Sequence, residues 1–547
     1  MTAVLPPGAD YAAVVGAFTW DIPRRCNIAW DACDRWADGS GRPAILHLRE
    51  DGRTETLTFD ALRATSARLA AVLRARGVAR GDRVAVLLPQ GPEAAIAHLA
   101  AYRMGAVAVP LFQLFGADAL AYRLRDSGAA AIVTDPVGLS KVAEIRDALP
   151  ALRTVLSAGG GADALDLHEE LARAADDTPI VPTAPDDPAL IIYTSGTTGA
   201  PKGALHGHRV LRGHLPGVEM PQEGFPAPGD LFWTPADWAW IGGLLDVLLP
   251  SLFHGVPVLS LRMAKFDPEA CLTLMARQGV TRAFLPPTAL KMLRAVPDPA
   301  RFGARPRSIG SGGESLGAEL LDWGRGAFGV TINEFYGQTE CNLVVSARHG
   351  LFRTPPGCMG RAVPGHRVAV VGPDGVERSP GEVGGIAIRG PDPVMFLGYW
   401  SKPEDTAAKF AGGWLMTGDQ GRMDEEGNLA FLGRNDDVIT SAGYRIGPAE
   451  VEDCLLRHPA VALAAVVGVP DPLRTERVTA VVVAKPGVSV GPSLAAEIQA
   501  HVKARLAGHL YPREVRFVDA LPMTATGKVM RGAIRASLAR EAASAPG

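Results

Sequence analysis

Little in this chain calls for a metal scaffold, a membrane or a polyelectrolyte partner. Its six cysteines, at positions 26, 33, 271, 341, 358 and 454, contain no CxxC pair, which argues against a zinc site. Their scatter through a long chain points to a reducing compartment. The charges nearly cancel, to −3 at pH 7, so neither nucleic acid nor an anionic membrane is expected as a partner. No apolar run meets the ~20 uninterrupted residues of a bilayer span. The longest, residues 244–261, is broken by Asp246, Pro250, His254 and Pro257 and reads as a buried helix and strand. The opening stretch MTAVLPPGADYAAVVG has no basic segment ahead of an apolar core. No secretory signal is therefore expected, and a cytoplasmic location follows.

What the chain does have is the rhythm of an α/β protein. Hydrophobic residues make up 47% and charged residues 21% of it, as in soluble globular proteins. Its 547 residues exceed one hydrophobic core, and roughly three to four domains are the prior. Apolar runs at 83–88, 105–110, 130–133 and 190–192 alternate with helical patterns such as 93–104. That alternation predicts parallel sheet with crossover helices. The runs at 256–259, 283–285 and 308–309 repeat it. From about His366 short strands at 366–371, 385–389 and 395–399, joined by turns such as Pro373-Asp374-Gly375, predict an antiparallel barrel or meander. Beyond Arg434 the pattern is mixed: a helix starting at Pro448, strands near 464–467 and 478–484, and a helix around 494–506. This predicts a small α+β domain.

After the strand-like Ala189-Leu190-Ile191-Ile192 comes YTSGTTGAPKG, residues 193–203. Glycines let backbone amides turn toward an anion, and the hydroxyls of Thr194, Ser195, Thr197 and Thr198 add donors. Gly196, Gly199 and Lys202 complete a phosphate cradle. It is not the Walker pattern, because Gly203 follows Lys202 where Ser or Thr would hold magnesium. A second turn, GSGGES at 310–315, also follows a strand, at the place where open parallel sheets bind ligands. Further on, Glu340 follows the strand-like 330–332 and is a natural magnesium ligand, and Lys528 follows a Gly-containing turn in PMTATGKVMR.

The whole loop string resembles the phosphate loop of the adenylate-forming (AMP-binding) superfamily. Tyr336-Gly337-Gln338-Thr339-Glu340, Thr417-Gly418-Asp419, Gly433-Arg434-Asn435-Asp436-Asp437, Ser441-Ala442-Gly443-Tyr444-Arg445-Ile446 and the string at Lys528 resemble its later motifs in the family's order. The resemblance is strongest to the medium-chain and acetyl-type acyl-coenzyme A synthetases. It implies a large AMP-binding domain, residues 1–434, built from two α/β subdomains and a barrel near 366–434. A hinge at 435–437 and a mobile α+β domain at 438–547 would follow. It implies ATP, Mg2+ and coenzyme A as cofactor and co-substrates, with the loop clamping the β- and γ-phosphates and Lys202 supporting it. Nucleotide contacts are implied for Gly313, Glu314, Ser315, Glu334, Phe335, Tyr336, Gly337 and Gln338. Tyr336 would stack on adenine and Thr339 would bond the α-phosphate. Glu340 would hold magnesium, and Asp419 and Arg434 the ribose. Asp436 would be the hinge and Lys528 the adenylation lysine. Gly443 would line the pantetheine tunnel with Tyr444 and Arg445, while Arg474, Lys503 and Tyr511 would meet coenzyme A.

For the acid, Asp237-Trp238-Ala239-Trp240-Ile241-Gly242-Gly243 resembles the family's aromatic acyl-pocket motif. Gly242, Gly312 and Gly337 stand where acetate-activating relatives carry bulk. The expectation is a wider pocket and a medium-chain, branched or aryl acid. Two other readings stand beside this one. One is adenylation with transfer to a separate carrier protein, over which the Tyr444-Arg445-Ile446-Gly447 string and the expected absence of an attached carrier favour coenzyme A. The other is an inactive acyl-adenylate sensor, which the presence of Lys528 and Glu340 disfavours. The sequence does not define the oligomeric state.

Overall fold

A computed structural model describes residues 2–194, 200–263, 265–313, 316–434, 437–441, 444–471, 474–506, 510–524 and 528–544. The larger part is built on two sheets. One has eight strands, in the order Gly398–Tyr399, Lys202–Gly207, Pro188–Thr194, Val107–Pro110, Arg83–Leu87, Ala131–Thr134, Thr154–Ser157 and Leu165–Asp166. The six strands from Pro188–Thr194 onward are parallel. Their continuous Val, Ile and Ala runs suit strands covered on both faces. The crossover helix Pro92–Met104 starts with Pro at its first turn and ends at Gly105, φ 66°, the ends that proline and glycine favour.

The second sheet has nine strands: Arg361–Ala362, Asn342–Ser346, Ile332–Gln338, Ser308–Gly312, Arg282–Phe284, Phe232–Trp233, Val258–Leu261, Pro43–Leu48 and Thr54–Thr58. Its central strands are parallel and its edges antiparallel. Register sets Gly312 beside Phe335. Residues 241–253 are one helical run, α at Ile241–Gly243, π at Leu244–Leu248 and α at Leu249–Phe253. Within the wide turn Asp246 takes a 2.6 Å hydrogen bond with His214 of the helix Val210–Glu219.

The meander expected near 366–434 is a five-stranded antiparallel half-barrel of Val368–Val371, Val383–Arg389, Trp414–Met423, Phe410–Ala411 and Leu429–Arg434. One assignment changes. The stretch 395–399 does not join it: Gly398–Tyr399 pairs with Ala204 and Leu205 at the edge of the eight-stranded sheet. Long-range pairing decides this, and it delivers Tyr399 to the strand that follows the phosphate loop.

The C-terminal part is a sheet of Tyr444–Ile446, Ile439–Ser441, Thr475–Ala484, Val461–Asp471 and Glu514–Phe517 with helices Pro448–Leu456, Pro492–Arg505 and Arg531–Ser544. Ile439, Val451, Leu455, Val466, Val482, Ile498 and Val502 fill its core. Arg531 grips Glu452 through two hydrogen bonds, 3.1 and 2.6 Å, and Arg535 pairs with Asp437 at 2.9 Å. The small part presses on the large one. A Cβ at Gly447 would stand 2.0 Å from the Leu432 carbonyl oxygen, and one at Gly317 3.2 Å from Asp453.

Arg282 shows how the nine-stranded sheet is anchored. Buried at the start of its strand, it donates to Asp230 at 3.0 Å, Ser308 at 3.1 Å and the Gln222 and Glu223 carbonyls at 3.1 and 2.7 Å. Removing one partner of a buried ionic network typically costs about 3–5 kcal/mol. Arg282→Ala is therefore expected to lower the urea midpoint by an amount equivalent to about 3 kcal/mol, which equilibrium unfolding followed by intrinsic fluorescence will read.

Candidate active site

The loop residues Ser195, Gly196, Thr197, Thr198 and Gly199 lie outside the described residues, as do Glu314, Ser315, Asp436 and Gly443, and so do the side chains of Tyr444 and Arg445. The strands that carry the loop are described. Thr194 and Lys202 face each other across an antiparallel pair, so the loop closes a hairpin. Lys202 is ion-paired with Asp405 and lies 5.3 Å from the centre of the Tyr399 ring.

Tyr399 also donates its hydroxyl to Glu340. Glu340, 7% exposed, thus lies close to the loop's lysine, with one aromatic side chain touching both. Among the described residues no three His, Cys, Asp or Glu side chains gather into a metal site. A lone carboxylate beside a phosphate loop suits magnesium, which keeps its waters and arrives on substrate phosphates. Glu340 fits that role.

Glu340 and Thr339 sit in the tight turn between strands Ile332–Gln338 and Asn342–Ser346. Gly337 makes the turn possible. A Cβ there would stand 1.5 Å from the Asn342 carbonyl oxygen, closer than any packed atoms allow. Backbone geometry therefore accounts for a glycine at this position. Beneath Thr339 lies His206, which the motifs did not single out; burial pushes its pKa down to about 3 and keeps it neutral.

Tyr336 and Gln338 both donate to one oxygen of Asp419, each at 2.6 Å. Arg434 stands 3.5 Å from the other oxygen. The four implied nucleoside contacts are therefore gathered at one carboxylate. Burial raises the Asp419 pKa, and Arg434 and the two donors oppose the rise.

Lys528 reaches the large part from the small one. Its backbone N–H donates to the Thr524 hydroxyl at 3.0 Å and its carbonyl accepts from the Thr524 N–H at 2.7 Å. A Cβ at Gly313 would meet Lys528 Cε at 3.9 Å and the Trp240 indole at 3.5 Å. Gly313, Trp240 and Lys528, separate in sequence, thus converge.

The other acyl candidates are closely packed. Trp238 is buried, 1% exposed. Beside Ile241, a Cβ on Gly242 would stand 2.7 Å from the Trp240 ring and 2.9 Å from Phe284. On Gly312 it would stand 2.4 Å from the Phe335 ring. These glycines make room for the protein's own rings. Phe335, expected at the nucleotide, packs over Gly312 and against Phe284, whose centroid is 5.3 Å away; the sequence reading did not single out Phe284.

Glu334 is buried. Its Oε1 accepts from the Leu316 N–H at 3.1 Å. Burial first, and the facing Asp453 carboxylate to a lesser degree, push its pKa from 4.5 up to about 8. Asp453 itself rises to about 6, chiefly by burial.

Along the small sheet, Arg474 lies next to Thr475, whose cross-strand partner is Ser441, two residues from Gly443. Lys503 stands 5.6 Å and Arg513 3.9 Å from the centre of the Tyr511 ring. Arg513, which the motifs did not flag, also donates to the Tyr511 hydroxyl. Cations stacked on a tyrosine suit a phosphorylated ligand.

A lysine delivered from one part of a chain into a crevice of another is the geometry of an enzyme that closes over its substrates. The chain belongs to the AMP-binding enzyme family: the model of the AMP-binding enzyme matches residues 33–400, and that of the AMP-binding enzyme C-terminal domain residues 450–528. It is similar to the acetyl-coenzyme A synthetase of Bacillus subtilis (strain 168), 34% identical with 96% of this chain and 93% of that one covered. It is likewise similar to the mitochondrial acyl-coenzyme A synthetase ACSM4 of Homo sapiens, 36% identical with 96% and 93% covered. The crystal structure of ATP-bound MatB from Rhodopseudomonas palustris matches with a TM-score of 0.83 at 31% identity, over 94% of this chain and 99% of that one.

Two outcomes follow. Because Glu334 holds its proton in the folded state, its contribution to stability is full below about pH 4.5, declines as pH rises and is gone above about pH 8. Glu334→Gln is expected to flatten the fall in melting temperature across that window, read by thermal melts from pH 5 to pH 9. Gly337→Ala is expected to force the turn at Glu340 apart and to weaken ATP binding at least tenfold, measured by titration calorimetry.

Proposed function

We propose that this protein is an AMP-forming acid–thiol ligase, which turns ATP, a carboxylate and coenzyme A into acyl-CoA, AMP and pyrophosphate. The observation that carries the proposal is the meeting of Lys528, from the small part, with Gly313 and Trp240 of the large one.

In the first half-reaction a carboxylate oxygen attacks the α-phosphorus. A new O–P bond forms, and the bond to the β-phosphate oxygen breaks to release pyrophosphate. Two anions approach one another, so the barrier is largely electrostatic. Lys528 lies between the two reacting anions and offsets their repulsion. The hydroxyl loop and Lys202 receive the β- and γ-phosphates, and Thr339 donates to the α-phosphate. Asp419, backed by Arg434, accepts the ribose hydroxyls once Tyr336 and Gln338 release it. Magnesium, when bound, neutralises phosphate charge, and Glu340 would hold it.

In the second half-reaction the thiol sulfur attacks the acyl carbon, AMP leaves and the thiol proton passes to solvent. The two steps need different groups at one site. We place the hinge at 435–437 and assign the rotation to residues 438–547, with Asp436 as pivot. Lys528 then withdraws and the Gly443 turn takes its place, with Arg474 nearby. Lys503, Tyr511 and Arg513 hold the phosphates of coenzyme A. None of the six cysteines is in a disulfide, and no helix among the described residues is long and apolar enough to cross a membrane. These features support a cytoplasmic site of action.

Lys528→Ala is expected to cut acid-dependent ATP–pyrophosphate exchange by roughly 10²–10³-fold, the range for one preorganised donor. Thioester formation from supplied acyl-adenylate should survive. Normal exchange in this variant would overturn the assignment.

A further inference from the structure

We infer that the acid is a short aliphatic one, in the range from acetate to butyrate, because Trp240, Phe284 and Phe335 fill the space that the glycines of the acyl pocket leave. The inference rests on the acid–thiol ligase reading above and gives it a substrate class.

The three rings form a continuous row. The Trp240 and Phe284 centroids are 5.6 Å apart with their planes at 35°. Phe284 and Phe335 follow at 5.3 Å and 43°. The row begins beside the reacting groups: a Cβ at Gly313 would touch the Trp240 indole at 3.5 Å and Lys528 Cε at 3.9 Å. An acid whose carboxylate meets Lys528 therefore has the indole beside its first carbons.

Further in, each opening is taken. Phe335 stands beside Gly312 in the parallel register, on the same face, and its ring lies over Gly312 at 2.4 Å and over Gly310 at 3.2 Å from where a Cβ would be. At Gly310 the far side is closed by Gln222 Nε2 at 3.0 Å and Pro221 Cβ at 3.4 Å. Gln222 is fixed. Its Oε1 accepts from Ser308 at 2.6 Å and its Nε2 donates to the Ala283 carbonyl at 2.9 Å. Over Gly242 the space holds both Trp240 and Phe284. Phe284 and Phe335 are 1% and 7% exposed. Buried rings in mutual contact pack closely, so a longer chain running past Phe284 and Phe335 would have to displace one. A single methylene in an apolar pocket is worth roughly 10–200-fold in discrimination.

The test measures AMP release with coenzyme A across acetate, propionate, butyrate, hexanoate, octanoate, decanoate and benzoate. The wild-type protein, Phe335→Ala and Phe284→Ala are compared, with Phe335→Leu as a milder truncation should an alanine variant fail to accumulate. Wild type is expected to peak between acetate and butyrate, with kcat/KM at least tenfold lower at hexanoate. In the truncated variants kcat/KM for octanoate should rise while that for acetate falls, a crossing that general damage does not produce. A wild-type preference for octanoate or benzoate over butyrate overturns the inference, and so does an unmoved optimum in the truncated variants. Both results leave the ligase reading intact. AMP release with no acid at all overturns both.

Discussion

The Asp419 carboxylate fastens three pieces of the chain at one point. It lies in the strand Trp414–Met423 of the half-barrel, takes hydrogen bonds from Tyr336 and Gln338 of the nine-stranded sheet, and faces Arg434 at the end of the next strand. A buried carboxylate persists only where donors and a cation compensate it. Here the compensation comes from two sheets at once, and it fixes the half-barrel against the main sheet.

Around this anchor the crevice divides by chemistry. On one side are the loop hairpin, Lys202, Tyr399 and Glu340. On the other are the three rings and Gly313. The strand Ile332–Gln338 runs through both. Phe335 points to Phe284 and Tyr336 to Asp419, because successive residues of a strand face opposite ways. Gly337 lets the strand turn sharply toward Thr339 and Glu340.

Much of this was legible in the sequence. Runs such as 83–88 and 130–133 announced buried parallel strands by their unbroken apolar character, and Pro448 marked a helix start that the structure has. The strings around Lys202, Glu340, Asp419 and Lys528 carried the family. What was not legible depended on register and close approach. Nothing local says that residues 398–399 pair with 204–205. A glycine reads the same whether it widens a pocket or lets a backbone carbonyl pass, and only the Asn342 oxygen distinguishes the two at Gly337. Phe335 could be placed over Gly312 only once the two strands were aligned. Arg513 belonged to no motif, and its stacking on Tyr511 appears only in three dimensions.

The clamp of Arg531 on Glu452 and of Arg535 on Asp437 has a kinetic meaning. It binds the last helix to the root of the small sheet, so that in the proposed rotation the small part would swing as one body without internal sliding, a hinge in place of a shear. All of the torsion then falls on a few backbone bonds. The swing would run at one pace whatever acid had been activated. For good acids that pace, and not bond making, would set the ceiling on turnover, and the solvent viscosity that slows a swinging body would slow the enzyme with it.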